Sequence, residues 1–222
     1  MSLTYHLAFG IIQLSGIPVP IPNTASRLDK YNKRCCYIDL SLAGRSVFSE
    51  GKMVDYKKII VIGCSGGGKS TFSKQLAEIT GLPLYNLDRI YWLPDASHLE
   101  RPEFIKRQKE IMRGDEWIID GNYRGTLKYR MKKCELCYFF DMPPEICIKG
   151  VLNRDINRED IACRLEPDEE LINDIKTYAE VARPKVLKLF EKYSNVKTVT
   201  FKSHKEVDDY LDKLRREYGF NV

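Results

Sequence analysis

The sequence predicts an α/β fold in which two layers of helices enclose a five-stranded parallel sheet, a three-layer α/β/α arrangement. Three observations predict it. From Tyr56 onward, short apolar runs alternate with helix-forming segments. The runs KIIVIG, EWIID and LCYFFD are apolar almost throughout, as strands buried on both faces are. Finally, 222 residues with 43% hydrophobic and 30% charged content suffice for one well-filled core.

Residues 1–52 stand apart. No hydrophobic period persists there and turn formers are scattered throughout, so they read as a leader or extension without a chemical role, and Met53 offers an alternative translational start. The domain proper is expected over 53–222. Its first strand is Lys58–Gly63, followed by a helix from about Lys69 to Thr80 that Gly81 and Pro83 stop. Leu84–Asp88 is a short strand ending on an acid. A looser stretch with Pro94 and Pro102 leads to a helix around Glu103–Arg113. Glu116–Asp120, Leu136–Asp141 and Val196–Phe201 are the remaining strands. Further helices are expected at Pro144–Asn153, at Asp168–Tyr193 (divided by Pro184) and at Lys205–Tyr218. In such sheets ligands gather at the carboxyl ends of the strands, so the chemistry belongs just after Ile62, Leu87, Ile119 and Phe140.

One of those ends carries a strong motif. Gly63-Cys64-Ser65-Gly66-Gly67-Gly68-Lys69-Ser70-Thr71 fits G-x-x-x-x-G-K-[ST] directly after a strand and at the opening of a helix. Glycines let the backbone approach an anion closely. The successive N–H groups then form a nest at the positive end of the helix. In this P-loop, Gly63, Ser65, Gly66, Gly67 and Gly68 would cradle the phosphates of ATP, and Lys69 would reach the β- and γ-phosphates. Ser70 would ligate Mg²⁺, and Thr71 would add a hydroxyl on the α-phosphate side. The predicted class is thus a P-loop NTPase.

Several classes are excluded. The sequence lacks an N-K-x-D guanine reader, a downstream D-x-x-G switch and an L-S-G-G-Q signature, and the domain is short for an AAA core with its helical lid. A small-molecule kinase fits best. The net charge of +5 is uneven: Arg27, Lys30, Lys33, Arg34, Arg45 and Lys52 face only Asp29, Asp39 and Glu50 in the first 52 residues. The rest carries 30 basic against 28 acidic residues, too balanced for a nucleic-acid footprint. Seven cysteines, two of them adjacent at Cys35 and Cys36, together with the absence of any Asn-x-Ser/Thr acceptor, fit a reducing compartment, so a cytoplasmic location is expected. The apolar stretch 7–22 has no positive charge before it and is broken by Gly10, Gly16, Pro18 and Pro20, which argues against an export signal. No apolar run reaches membrane-spanning length. The sequence does not set the oligomeric state.

Further segments resemble adenylate kinases. Ile118-Ile119-Asp120-Gly121-Asn122-Tyr123-Arg124 is similar to their "LDGFPR" segment, and Phe139-Phe140-Asp141-Met142-Pro143-Pro144-Glu145 to their "LDVPPE" segment. Asn153-Arg154 resembles the arginine that opens their lid, and the run from Arg158 to Leu165 resembles the stretch that closes it. The pattern extends over 57–217. The resemblance is closest to a bacterial subgroup described as adenylate-kinase-related kinases or DNA topology modulation proteins, through Tyr85-Asn86-Leu87-Asp88, Trp92-Leu93-Pro94 and Asp115-Glu116-Trp117-Ile118-Ile119-Asp120-Gly121-Asn122-Tyr123. It implies an adenylate/shikimate-kinase-like fold with a short lid at about 154–166, using ATP and Mg²⁺. Asn122-Tyr123 stands where adenylate kinases have Phe-Pro, and no monophosphate-acceptor segment follows the second strand, so the acceptor goes unnamed.

Roles follow, each with its plainer alternative. Asp120 ends an apolar strand and would hold Mg²⁺ through water beside Ser70; it would equally cap a helix beginning at Asn122. Asp88 would orient or deprotonate an acceptor hydroxyl, or else cap its strand end or pair with Arg89. The resemblance implies that Arg124 clamps the acceptor and that Arg154, Arg158 and Arg164 close over the phosphates; the plain alternative is solvated surface charge. Tyr91 and Trp92 would line an acceptor pocket or simply pack. Asp141, ahead of Pro143 and Pro144, is assigned a turn or cap. Cys134-x-x-Cys137 lacks a second ligand pair for zinc, and Cys137 falls in a buried strand. His6, His98 and His204 lie away from the motifs. The partner is a small-molecule phosphate acceptor. The rival is a nucleotide-dependent regulatory or DNA-topology-modulating ATPase without such an acceptor.

Overall fold

A computed structural model describes residues 11–14, 17–20, 56–95, 97–153 and 167–220. The chain divides into two units, Met1–Tyr37 and Ile38–Val222. In the first, β1 (Ile11–Leu14) and β2 (Ile17–Pro20) pair antiparallel from Ile11↔Pro20 to Leu14↔Ile17. The sequence reading placed no element there; Pro18 and Pro20 are tolerated because a two-stranded ribbon leaves every N–H on one side without a ladder partner. The expected boundary at 52/53 and the short lid at 154–166, with Arg154, Arg158 and Arg164, lie outside the described residues.

The second unit holds the five-stranded sheet. Its strands are β3 (Lys58–Gly63), β4 (Leu84–Asn86), β5 (Trp117–Asp120), β6 (Leu136–Phe140) and β7 (Lys197–Phe201), in the order β4-β5-β3-β6-β7. Every pairing in it is parallel. All four residues of β5 and all five of β6 are buried, as in β3 beyond Lys58, so both faces are covered. This is the α/β P-loop NTPase fold that the strand–helix alternation and the 63–71 motif together predict.

The helices are α1 (Lys69–Thr80), α2 (Leu87–Tyr91), α3 (Arg101–Ile111), α4 (Arg124–Met131), α5 (Pro144–Leu152), α6 (Glu169–Lys176), α7 (Tyr178–Val181), α8 (Arg183–Lys192) and α9 (His204–Glu217). Gly81 ends α1 in the left-handed conformation expected of it. Proline is the first residue of α5 and the second of α3 and α8, where its missing N–H costs nothing. Three expectations are corrected. The strand expected over Leu84–Asp88 ends at Asn86, because the Asn86 side chain accepts from Asp88 N and Arg89 N and starts a helix instead. The helix expected from Asp168 to Tyr193 is in three pieces, breaking at Thr177 as well as before Pro184. And α4 was anticipated only as the alternative of a helix beginning at Asn122; it begins at Arg124 and Asp120 does not cap it.

Phe72 of α1 is the hub of the core on one side of the sheet. Its ring centroid lies 4.8 Å from that of Tyr138, 5.4 Å from Phe140 and 5.5 Å from Phe201, all edge-on. That packing fixes α1, and therefore the loop before it, against β6 and β7. The path from β3 crosses to β4 on one side, while the path from β6 leads to β7 on the other. The crevice where they part, between the carboxyl ends of β3 and β6, is where open α/β sheets bind ligands. Residues 63–69 lie there.

Candidate functional site

The loop's shape follows from its glycines and from what lies against them. Gly66 has φ 79, and a Cβ there would collide with the carbonyl oxygen of Cys147 in α5. From the other side, a Cβ on Gly150 of α5 would collide with the carbonyl of Gly66. Loop and helix thus meet backbone to backbone, a contact that only glycine permits on both sides. Gly68 (φ 93) starts α1 with no capping side chain, and no acid occupies the first turn. The first N–H groups of that helix therefore keep their positive field for an anion. Lys69 folds back so that Nζ donates to the Cys64 carbonyl at 2.6 Å. Ser65 is half-buried, and Ser70 and Thr71 stand exposed at the rim.

Asp120 sits across from Ser70 because register puts it there. It pairs with Val61 on one side and Asn86 on the other. Ser70 Oγ donates to Asp120 Oδ2 at 2.7 Å, and Asn86 Nδ2 donates to the same oxygen at 3.0 Å. The other oxygen, Oδ1, is buried and has no hydrogen-bond partner. A carboxylate oxygen left bare beside a P-loop serine is what a water of hydrated Mg²⁺ would satisfy, so the residues present fit the ion. Asp120 is the last residue of β5 and caps no described helix; α4 begins four residues later.

The same carboxyl is an electrostatic hot point. Burial, above all, raises its pKa to about 6; the Lys69 charge and the Ser70 hydroxyl pull it down, the Asp88 charge pushes it up, and Asn86 lowers it. A carboxyl whose folded pKa exceeds the ordinary 3.8 holds its proton more tightly in the folded chain. Its unfavourable contribution is therefore absent below about pH 4 and complete once about pH 6 is passed. In metal-free protein, Asp120→Asn is expected to gain on the wild type between pH 4 and pH 7, by about 3 kcal/mol. Paired urea-unfolding curves at the two pH values check this; a difference that does not change with pH contradicts it.

Asp88 occupies the first turn of α2, exposed, and not a strand end. Tyr123 Oη donates to Asp88 Oδ1 at 2.8 Å. Tyr123 reaches it from a backbone at φ 23, the one described non-glycine residue with positive φ. Two acidic groups thus stand near each other's strands, Asp120 at the end of β5 and Asp88 in the helical turn just after β4, each oriented by a hydroxyl: Asp120 by Ser70, Asp88 by Tyr123. Arg124 opens α4, exposed and without an ion pair among the described residues. Tyr91 stacks on His98 at 4.9 Å and also meets Trp92, Phe104 and Tyr123, so the aromatic group packs on itself beside Asp88.

Other candidates take structural places. Asp141 follows β6, and its carboxylate receives three hydrogen bonds of 2.8–3.0 Å from Arg183, tying the strand end to α8; this bidentate pair replaces the expected turn or cap. Cys134 and Cys137 are buried, and burial pushes the Cys134 thiol up to about 12 and that of Cys137 well above its usual range. Three residues that shape the site had no role assigned from sequence: Asn86, Tyr123 and Arg130. Asn86, ahead of Leu87-Asp88, carried the signal of a helix cap; Arg130 carried none. No helix among the described residues is long and apolar enough to cross a membrane.

Comparisons with known proteins give a partial likeness. No family model matches. The adenylate kinases of Thermotoga petrophila and Thermotoga maritima are each 34% identical over 88 residues. That region is 39% of this chain, and the chain spans 39% of the length of these curated relatives. Among solved structures, shikimate kinase from Acinetobacter baumannii in complex with shikimate aligns with a TM-score of 0.49 at 17% identity, over 73% of this chain and 92% of that one. A sugar kinase from Janibacter sp. aligns with a TM-score of 0.47 at 15% identity, over 71% and 91% of the two chains.

Proposed function

We propose that the chain transfers the γ-phosphoryl group of MgATP to a small acceptor bearing a hydroxyl. The observation that carries this reading is the pair of neighbouring carboxylates, Asp120 turned toward the P-loop serine and Asp88 held by Tyr123 one strand away. Phosphoryl transfer is mostly positioning and charge neutralisation, and the residues divide along those lines. The loop 63–68 and the start of α1 would hold the phosphates through backbone N–H groups. Lys69 would leave the Cys64 carbonyl and follow the β- and γ-phosphates. Ser70 and a water on Asp120 Oδ1 would hold Mg²⁺, which when bound neutralises charge on the phosphate oxygens. Asp88 would align the acceptor hydroxyl and take its proton as the oxygen attacks.

An exposed carboxylate at the acceptor position favours an alcohol over a dianionic phosphate, since like charges meet there otherwise. Arg124 would meet any anionic group elsewhere on the acceptor. Arg154, Arg158 and Arg164 enter this proposal only by their places in the sequence. No described feature favours the rival DNA-directed ATPase. The test is ADP release by the full chain with MgATP and a panel of nucleosides, nucleoside monophosphates, sugars and shikimate-like acids. Stimulation by an alcohol, lost in Asp88→Asn, is the expected result. Stimulation confined to monophosphates, or to DNA, overturns it.

A further inference from the structure

Arg130, on α4, is fully buried, and no carboxylate pairs with it among the described residues. Its guanidinium instead grips the backbone that joins Asp120 to Tyr123. Nη1 donates to the Gly121 carbonyl at 2.6 Å, and Nη2 donates to the carbonyls of Asn122 and Tyr123 at 2.8 and 3.2 Å. Nε is buried without a partner. The neighbouring Cys134 and Cys137 do not supply a counter-charge, because burial keeps both as thiols. Burial brings the guanidinium down only to about 10, so it stays charged at neutral pH. A desolvated cation with no ion pair of its own, supported only by the field of the Asp120 charge, is a costly group to keep for packing alone, since an apolar side chain fills space without that penalty.

What the cation holds explains it. The three gripped carbonyls belong to the turn that leads from Asp120 to Tyr123, the partner of Asp88, and that turn has two unusual backbone conformations, Gly121 at φ 141 and Tyr123 at φ 23. A strained non-glycine residue persists only where its surroundings over-determine it. Arg130 does so together with Thr126, whose N–H and hydroxyl donate to the Tyr123 carbonyl at 2.9 and 3.0 Å. A planar fork with several fixed donors suits three convergent carbonyls; a lysine, with one compact ammonium, does not.

We infer that Arg130 is a positioning residue: its buried guanidinium sets the 121–123 turn so that Asp120 faces Ser70 and Tyr123 reaches Asp88. The inference rests on the function proposed above for the meaning of those two stations, but not for the geometry it claims. Its functional consequence is read in nucleotide binding, with no acceptor needed. Arg130→Lys keeps the charge and one or two hydrogen bonds, and Arg130→Gln keeps a planar donor without charge. For each full-length protein, ADP affinity is measured by calorimetry with Mg²⁺ and with EDTA.

The expected result is that affinity in EDTA stays within about twofold of wild type, while the gain conferred by Mg²⁺ falls about tenfold, the lower end of what is typical for removing a group that orients a metal's ligands. A folded Arg130→Lys protein with the wild-type Mg²⁺ gain overturns the inference. So does an equal loss with and without Mg²⁺, which marks a general packing role. A wild type that binds no ADP defeats the proposed function instead. In that event, nucleotide-free crystal structures of the wild type and Arg130→Lys still decide the inference. Loss of the Tyr123–Asp88 hydrogen bond in the variant supports it, and retention of the bond overturns it.

Discussion

Lys69→Met is expected to lower ATP turnover by roughly 10³-fold while leaving the melting temperature within about 2 °C of wild type. The asymmetry comes from what Lys69 touches. Its ammonium donates a part-buried hydrogen bond to the Cys64 carbonyl at the rim of the loop and acts on Asp120 only through its charge, so the fold loses little when it goes. In the transfer reaction the same ammonium would sit against oxygens that gain charge, in a site where no other described lysine is placed to replace it. Turnover and thermal melting measured on one preparation check both halves. Near-normal turnover with an intact fold contradicts the role given to the loop.

Gly66→Ala is expected to act through the opposite balance, damaging structure and binding together. The residue is at φ 79, where a side chain costs about 1–2 kcal/mol. The added methyl also meets the backbone carbonyl of Cys147, which cannot rotate away as a side chain can. Overpacking of this kind adds about 1–3 kcal/mol. The strain falls on the loop that presents the N–H groups, so ADP affinity should drop more than about tenfold, equivalent to about 1.4 kcal/mol. Gly150→Ala presses on the same contact from α5 and should weaken ADP binding in the same direction. Urea unfolding and ADP titration of each variant are the measurements; wild-type affinity in both would show that the loop does not depend on its seating against α5.

The pattern of what could be read from sequence has physical causes. The P-loop, the β3 and α1 boundaries and the place of Asp120 were legible because each is a local signal: an apolar run, a glycine-rich turn, a strand ending on an acid. Asp88 was assigned to the right neighbourhood but the wrong element. The decisive interaction was a side chain, Asn86, that accepts from two backbone N–H groups, and this outweighed the continuation of a strand. Helix α4 was legible only as a capping alternative for Asp120, because its eight residues RGTLKYRM mix glycine, threonine and three cations, and its buried face includes the charged Arg130. Hydrophobic periodicity misses such a helix. The extra break at Thr177 has no proline to announce it. Asp141 looked like a cap because its neighbours are prolines; its partner Arg183 lies 42 residues away, a distance no local pattern spans.

Everything proposed for this chain depends on residues 63–71 and Asp120 forming a site for a nucleotide phosphate and its magnesium ion. The most direct measurement is calorimetric titration of the full chain with ADP and Mg²⁺, repeated in EDTA and with Lys69→Met. Saturable one-to-one binding is expected, weakening about tenfold or more when Mg²⁺ is removed and again when Lys69 is replaced. Binding that is absent in the folded wild type, or indifferent to both Mg²⁺ and Lys69, would contradict it.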